Sequence, residues 1–201
     1  MAWVAVCMGW GAVSVYAGDS LTLVQKKISA IHTLDAAFTQ TVATKHGVVS
    51  RTTGTLALSR PGRFRWQTQQ PTEQTVVADG QRLWIYDKDL EQVAVRKQTQ
   101  TLGAAGALFL SQSTQAIARD FTVTYVQKND TETFVLQAKS SNANFERVIL
   151  VFHNQLLQTI ALDDQLGQHT TVKLKQVRVN HSEPGSLFTL KVPAGVDVIR
   201  Q

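Results

Sequence analysis

Residues 54–95 read GTLALSRPGRFRWQTQQPTEQTVVADGQRLWIYDKDLEQVAV, and the periodicity of this stretch decides the fold. Leu56 and Leu58 alternate with Thr55 and Ala57, and Phe64 and Trp66 alternate with Arg63 and Arg65. Side chains two positions apart on a strand share a face, so these runs predict strands that are apolar on one side only. On this reading Phe64 and Trp66 point inward while Arg63 and Arg65 meet solvent. Asp79-Gly80 stands between two such runs as a tight hairpin turn. Pro61 and Pro71, like the other prolines, fall near strand ends or loops, where a missing N–H donor does no harm.

The same two-residue rhythm extends outward from about Phe38 over most of the chain. Phe121, Val123 and Tyr125 share a strand face, as do Phe134 and Leu136; Phe145, Ile149 and Val151 form a third set, and Leu156, Ile160 and Leu162 a fourth. Turn signals separate them at His46-Gly47, Asn129-Asp130, His153-Asn154 and Leu166-Gly167. The reading is a mainly β fold, an antiparallel meander of about eleven strands that is long enough to curl strongly. One helix precedes it: Asp19 or Ser20 can cap it, and Leu21, Val24, Ile28 and Ile31 form its apolar stripe. Residues 102–111, LGAAGALFLS, interrupt the strands with a short apolar segment. Its two glycines each cost a helix about 1 kcal/mol, which suits a movable lid over an apolar cavity, or a plug over one end of the barrel.

The chain has 201 residues, a net charge of +5 and 43% hydrophobic content, which fits one domain with a substantial core. Residues 1–17 contain no charged side chain and end Val15-Tyr16-Ala17, which predicts a signal peptide cleaved before Gly18, although the usual basic start is missing. A hydrophobic first strand is the other reading. Residues 18–201 then form the single domain, and the one cysteine, Cys7, lies outside it, so neither disulfide nor thiol chemistry is expected. The mild basic excess suits anionic membrane surfaces and lacks the aromatic and basic clustering of nucleic-acid binders.

The quoted stretch resembles the LolA family of periplasmic outer-membrane lipoprotein carriers at separated points. These are the Gly54-Thr55-Leu56 entry, Arg60-Pro61 followed by Phe64-Arg65-Trp66, Pro71, Asp79-Gly80, Leu83-Trp84-Ile85-Tyr86-Asp87 and Leu90-Glu91-Gln92-Val93. Asp163 before Gly167-Gln168, and FTLKVPAGVDVI over residues 188–199, extend the likeness to the C-terminal end. The resemblance implies an incomplete barrel, closed on one side by helices, whose interior takes acyl chains. It implies periplasmic localisation, lipoprotein cargo collected from an ATP-driven complex of the inner membrane, delivery to a lipoprotein receptor on the outer membrane, and no cofactor. The cavity residues it suggests are Leu56, Leu58, Phe64, Trp66, Leu108, Phe109, Ile149 and Val151, and Arg60 would tie the lid to the barrel. Aromatics at strand spacing also occur as plain core, and a strand-end arginine as a solvated one. The family usually opens the lid helix with a proline, where this chain has Gly103-Ala104-Ala105-Gly106.

Catalytic patterns are missing from the sequence. The histidines at 32, 46, 153, 169 and 181 are scattered, with no HExxH, no Gly-x-Ser-x-Gly, no phosphate loop and no metal-spaced His or Cys cluster. Asp163 and Asp164 are adjacent and read as a turn. The expectation is a monomeric carrier that is not an enzyme and holds no metal. The alternatives are a half-barrel protein for another lipid, such as a glycolipid or phospholipid, or a lipid-sensing module.

Overall fold

A computed structural model describes residues 20–98, 115–140 and 145–200. Helix α1 (Ser20–Ser29) opens them and buries Ser20, Val24 and Ile28. There follow β1 (Thr33–Thr44), β2 (Gly47–Ser59), β3 (Arg63–Gln70), β4 (Gln74–Asp79), β5 (Arg82–Asp87) and β6 (Gln92–Lys97). After them come a short helix α2 (Gln115–Asp120), β7 (Phe121–Lys128), β8 (Thr131–Ala138), β9 (Phe145–His153), β10 (Leu156–Asp164) and β11 (His169–Val179). A 3-10 turn (Gly185–Phe188) and β12 (Asp197–Arg200) complete the described chain. The predicted lid, with Leu108 and Phe109, and the predicted signal peptide lie outside the described residues.

The twelve described strands form one sheet in the order β12-β6-β5-β4-β3-β2-β1-β11-β10-β9-β8-β7. Consecutive strands pair as hairpins within β1–β6 and within β7–β11, β1 and β11 join these two halves, and β12 runs parallel to β6. The strand beyond the expected eleven is thus a parallel edge addition, which needs no hairpin and leaves no turn signal. Gly47, Gly80, Asn129, Asn154 and Gly167, at the hairpins read from the sequence, all have positive φ. β1 starts at Thr33, earlier than the expected change of rhythm near Phe38; Leu34 and Ala36 already point inward, and the small Ala36 and Ala37 hide the alternation.

One face of the sheet, the inner one, carries a continuous apolar cluster that includes Val24 and Ile28 of α1 and Ile117 of α2. Register shifts interrupt the ladders between β1 and β11, β1 and β2, β2 and β3, and β9 and β10. Such bulges bend a sheet and exchange its faces. At β9 the extra residue Glu146 lies between Phe145, opposite Asp164, and Arg147, opposite Asp163. Phe145 therefore packs against the inner cluster, whereas Ile149 and Val151 alternate with the buried Val148, Leu150 and Phe152 and face outward. The same happens in β10, where a shift at Gln158 puts Leu157, not Leu156, beside Ile160 and Leu162.

Candidate functional site

The inner face of β1–β5 is built from transverse rows that the register places side by side. Leu34, Leu58, Phe64, Ala78 and Leu83 form one row, and Ala36, Leu56, Trp66, Val76 and Ile85 the next. Of the expected cavity residues, Leu56, Leu58, Phe64 and Trp66 are brought together here, whereas Ile149 and Val151 lie on the opposite face. Phe38, which is not among the expected cavity residues, is central to the patch. Its ring stacks on Trp66 with centroids 3.8 Å apart, and Phe64 lies 6.2 Å from the same indole. Gly54 makes this stacking possible: a Cβ there would stand 1.9 Å from the Gln67 carbonyl oxygen and 2.9 Å from the Phe38 ring. Gly54 thus serves close approach of backbone and ring.

Two arginines border this apolar patch. Arg60 follows β2, two residues beyond Leu58; its backbone N–H donates to the His32 carbonyl at 2.8 Å. Burial of its guanidinium pushes its pKa below the ordinary arginine value. Arg96 pairs with Leu83 and so continues the first row. Its Nε is buried without a hydrogen-bond partner among the described residues. Val93 and Val95 carry the obvious apolar signal of β6, yet they face outward, so the neighbouring Arg96 was not singled out from the sequence.

The other half of the inner face is sealed. Lys27 of α1 meets Glu132 of β8 and Gln155, and its ammonium lies 5.5 Å from the centre of the Phe152 ring. The Tyr125 hydroxyl stands 3.3 Å from Glu132 Oε1. Burial first, and then the Glu132 charge, raise the Tyr125 pKa and keep the phenol a donor. These polar contacts pin α1 over Phe134, which packs 4.9 Å from Tyr125 and edge-on to Phe152 at 5.9 Å.

On the outer face, Arg63 and Arg65 are not the solvated residues expected from alternation. Arg65 Nη1 donates to the Leu187 carbonyl at 3.3 Å, and Arg63 lies 5.5 Å from the centre of the Phe188 ring. Phe188 is buried, as are Val77 and Val93 on that side of the sheet. The C-terminal stretch is therefore a strap across the back of the strand that bears Phe64 and Trp66. Asp163 and Asp164 also divide their work: Asp163 pairs with Arg147 and His169, while Asp164 Oδ1 accepts from the backbone N–H of Leu166 and Gln168 in the turn.

Comparison with known proteins agrees with this architecture. The model of a family described as outer membrane lipoprotein carrier protein LolA matches residues 29–191. An outer-membrane lipoprotein carrier protein of Legionella pneumophila (strain Corby) is 48% identical over 187 residues, 93% of each chain. One from Pseudomonas aeruginosa (strain UCBPP-PA14) is 34% identical over 197 residues, 96% of this chain and 95% of its own. Among solved structures, an uncharacterised conserved protein of Thermus thermophilus superimposes with a TM-score of 0.56 at 11% identity, covering 92% of this chain and all of its own. A LolA superfamily protein from Nitrosomonas europaea gives 0.50 at 11% identity, covering 85% and 98%. Those two likenesses concern the fold; the sequence matches carry the relationship, and on them the chain belongs to the LolA family of outer membrane lipoprotein carrier proteins.

Proposed function

We propose that this protein carries the acyl chains of lipoproteins across the periplasm on the inner face of its curled sheet, without catalysis. The observation that carries the reading is the apolar patch of Phe38, Leu56, Leu58, Phe64 and Trp66, on which the larger aromatics are grouped without a fixed polar anchor among them. Exposing an acyl chain to water costs roughly 0.8 kcal/mol per methylene, so several long chains need a cover in transit. Burial against flat aromatic and branched side chains is undirected, so cargo enters and leaves without breaking specific bonds. Family membership supports lipoprotein as cargo, an inner-membrane releasing complex as donor and an outer-membrane receptor as acceptor. Arg60, at the rim of the patch, is the residue we assign to holding the lid segment; Leu108 and Phe109 would contribute from that segment.

The test is to produce the protein in a bacterial periplasm and identify by mass spectrometry what co-purifies, beside Trp66→Asp and Arg60→Leu. Triacylated lipoprotein on the wild type, depleted by Trp66→Asp and retained or undelivered in Arg60→Leu, is the expected result. Free phospholipid or glycolipid in its place, or no lipid at all, would overturn lipoprotein carriage.

A further inference from the structure

Away from the inner face, the fold brings together three side chains with metal-ligating atoms. Asp35 stands on the outer face of β1, opposite Arg178 of β11, and His181 and Glu183 lie just beyond β11. One ligand atom from each lies within 4.8 Å of the others. His181 Nε2 is 2.6 Å from Asp35 Oδ1 and also meets Glu183 Oε1. A single imidazole N–H serves one acceptor well, not two. Accordingly, Asp35 Oδ1 is buried without a satisfactory hydrogen bond, and the Glu183 side chain is 9% exposed. Arg178 neutralises the far oxygen of Asp35, Oδ2, at 2.9 Å, and leaves Oδ1 turned toward His181 and Glu183.

We propose that Asp35, His181 and Glu183 bind a divalent first-row transition ion, with Zn2+ as the cation best matched to one imidazole nitrogen and two carboxylate oxygens. Bonds of about 2.0 Å in a tetrahedral shell put neighbouring ligand atoms about 3.3 Å apart. The Nε2 to Oδ1 separation therefore opens by well under 1 Å when the ion enters. The backbone and Asp35 are already held, while His181 Nδ1 is buried without a hydrogen-bond partner among the described residues. The His181 N–H donates to Thr33 Oγ1 at 2.9 Å, the Thr33 hydroxyl donates to the His181 carbonyl at 2.7 Å, and Arg178 orients Asp35. Asn180 ties the same stretch to the end of α1, accepting from the His32 N–H and donating to the Ala30 carbonyl, each at 2.8 Å. An open groove of about 650 Å³, lined by Asp35, Arg178, Glu183 and Arg65 among others, gives the ion a way in, and a water would complete the four-coordinate shell. The ion would fasten the start of the C-terminal strap to β1, upstream of the Leu187 carbonyl and Phe188 ring that hold Arg65 and Arg63.

The experiment is calorimetric titration of the chelator-dialysed protein with ZnCl2, followed by X-ray absorption at the zinc edge and thermal melts. One Zn2+ per chain, an imidazole and oxygen shell, and a raised Tm are expected. His181→Gln and Glu183→Gln should each weaken the affinity by at least about 100-fold, since losing even an outer partner of a ligand costs 10–100-fold. Circular dichroism of the metal-free variants separates lost binding from lost folding, and the conservative Gln replacements keep the side-chain size. His46→Ala removes an exposed hairpin histidine and should leave the isotherm unchanged. Binding no tighter than millimolar, binding that survives both Gln variants, or binding lost with His46 (an adventitious ion only) would overturn the proposal.

Discussion

The two halves of the sheet carry the same alternating pattern but meet different environments. In β8 and β9, Phe134, Leu136 and Val148 have no exposed surface, because α1 and Ile117 of α2 lie over that part of the inner face. In β2 to β5, Leu58 and Leu83 are buried as well, but Trp66, Val76 and Ile85 in the next row are only half-buried. One half thus behaves as an ordinary dry core. The other exposes apolar area that a bound alkyl chain would cover at a gain of about 25 cal/mol per Å². On the proposed function, stability and cargo binding fall to different ends of one sheet, so substitutions at the two ends should separate them.

The largest effect should come from the sealed half. Phe134→Ala removes a fully buried ring from between Tyr125 and Phe152 and should cost about 3–5 kcal/mol in urea unfolding. Trp66→Ala, on a half-buried ring, should cost clearly less than that while depleting bound lipid. Equal stability losses at the two sites would erase the distinction between the halves. Gly54→Ala should come next, at about 1–3 kcal/mol, because its Cβ would press on backbone at Gln67 and displace Phe38 from Trp66. A crystal structure of that variant with the stacking intact would show that Gly54 serves only the bulge.

The smallest effect concerns pH and the β4–β5 hairpin at the open end. Burial raises the Asp79 pKa, but hydrogen bonds from the Arg82 and Gln81 N–H groups and the Trp84 indole outweigh it, so the carboxyl sits below its ordinary 3.8. A carboxylate with a depressed folded pKa stabilises fully above its unfolded pKa and loses that contribution as pH falls through the folded value. The stability gap between the wild type and Asp79→Ala, measured by urea melts, should therefore be constant at neutral pH and narrow below about pH 4. A gap that persists at lower pH would mean that the carboxylate charge is not what organises the turn.

Much of this was legible in the residues because the relevant physics is local. Spacing alone puts Leu56 with Leu58 and Phe64 with Trp66 on one strand face each, and the β2–β3 register joins the two pairs into one surface. The hairpins at Gly47, Gly80 and Gly167 were visible because positive φ selects glycine. Parity places Ile149 and Val151 on one strand face with Phe145. A single unpaired residue, Glu146, reverses that parity, and no composition signal marks it. Arg63 and Arg65 looked solvated because nothing local says that residues 187 and 188 return across them.

The sequence by itself determined the class of structure: a leading helix, strands with one apolar face, and turns where the backbone must bend, all set by neighbours within a few positions. Tertiary structure alone decided which apolar face is sealed by α1 and which keeps exposed surface. It also set Arg96 beside the inner rows, bent the C-terminal strap over the outer arginines, and brought Asp35 to His181 and Glu183 across nearly the whole domain. The reason is physical. Alternation is a property of one strand, whereas burial, bulge register and the meeting of charges depend on partners that only chain closure brings within reach.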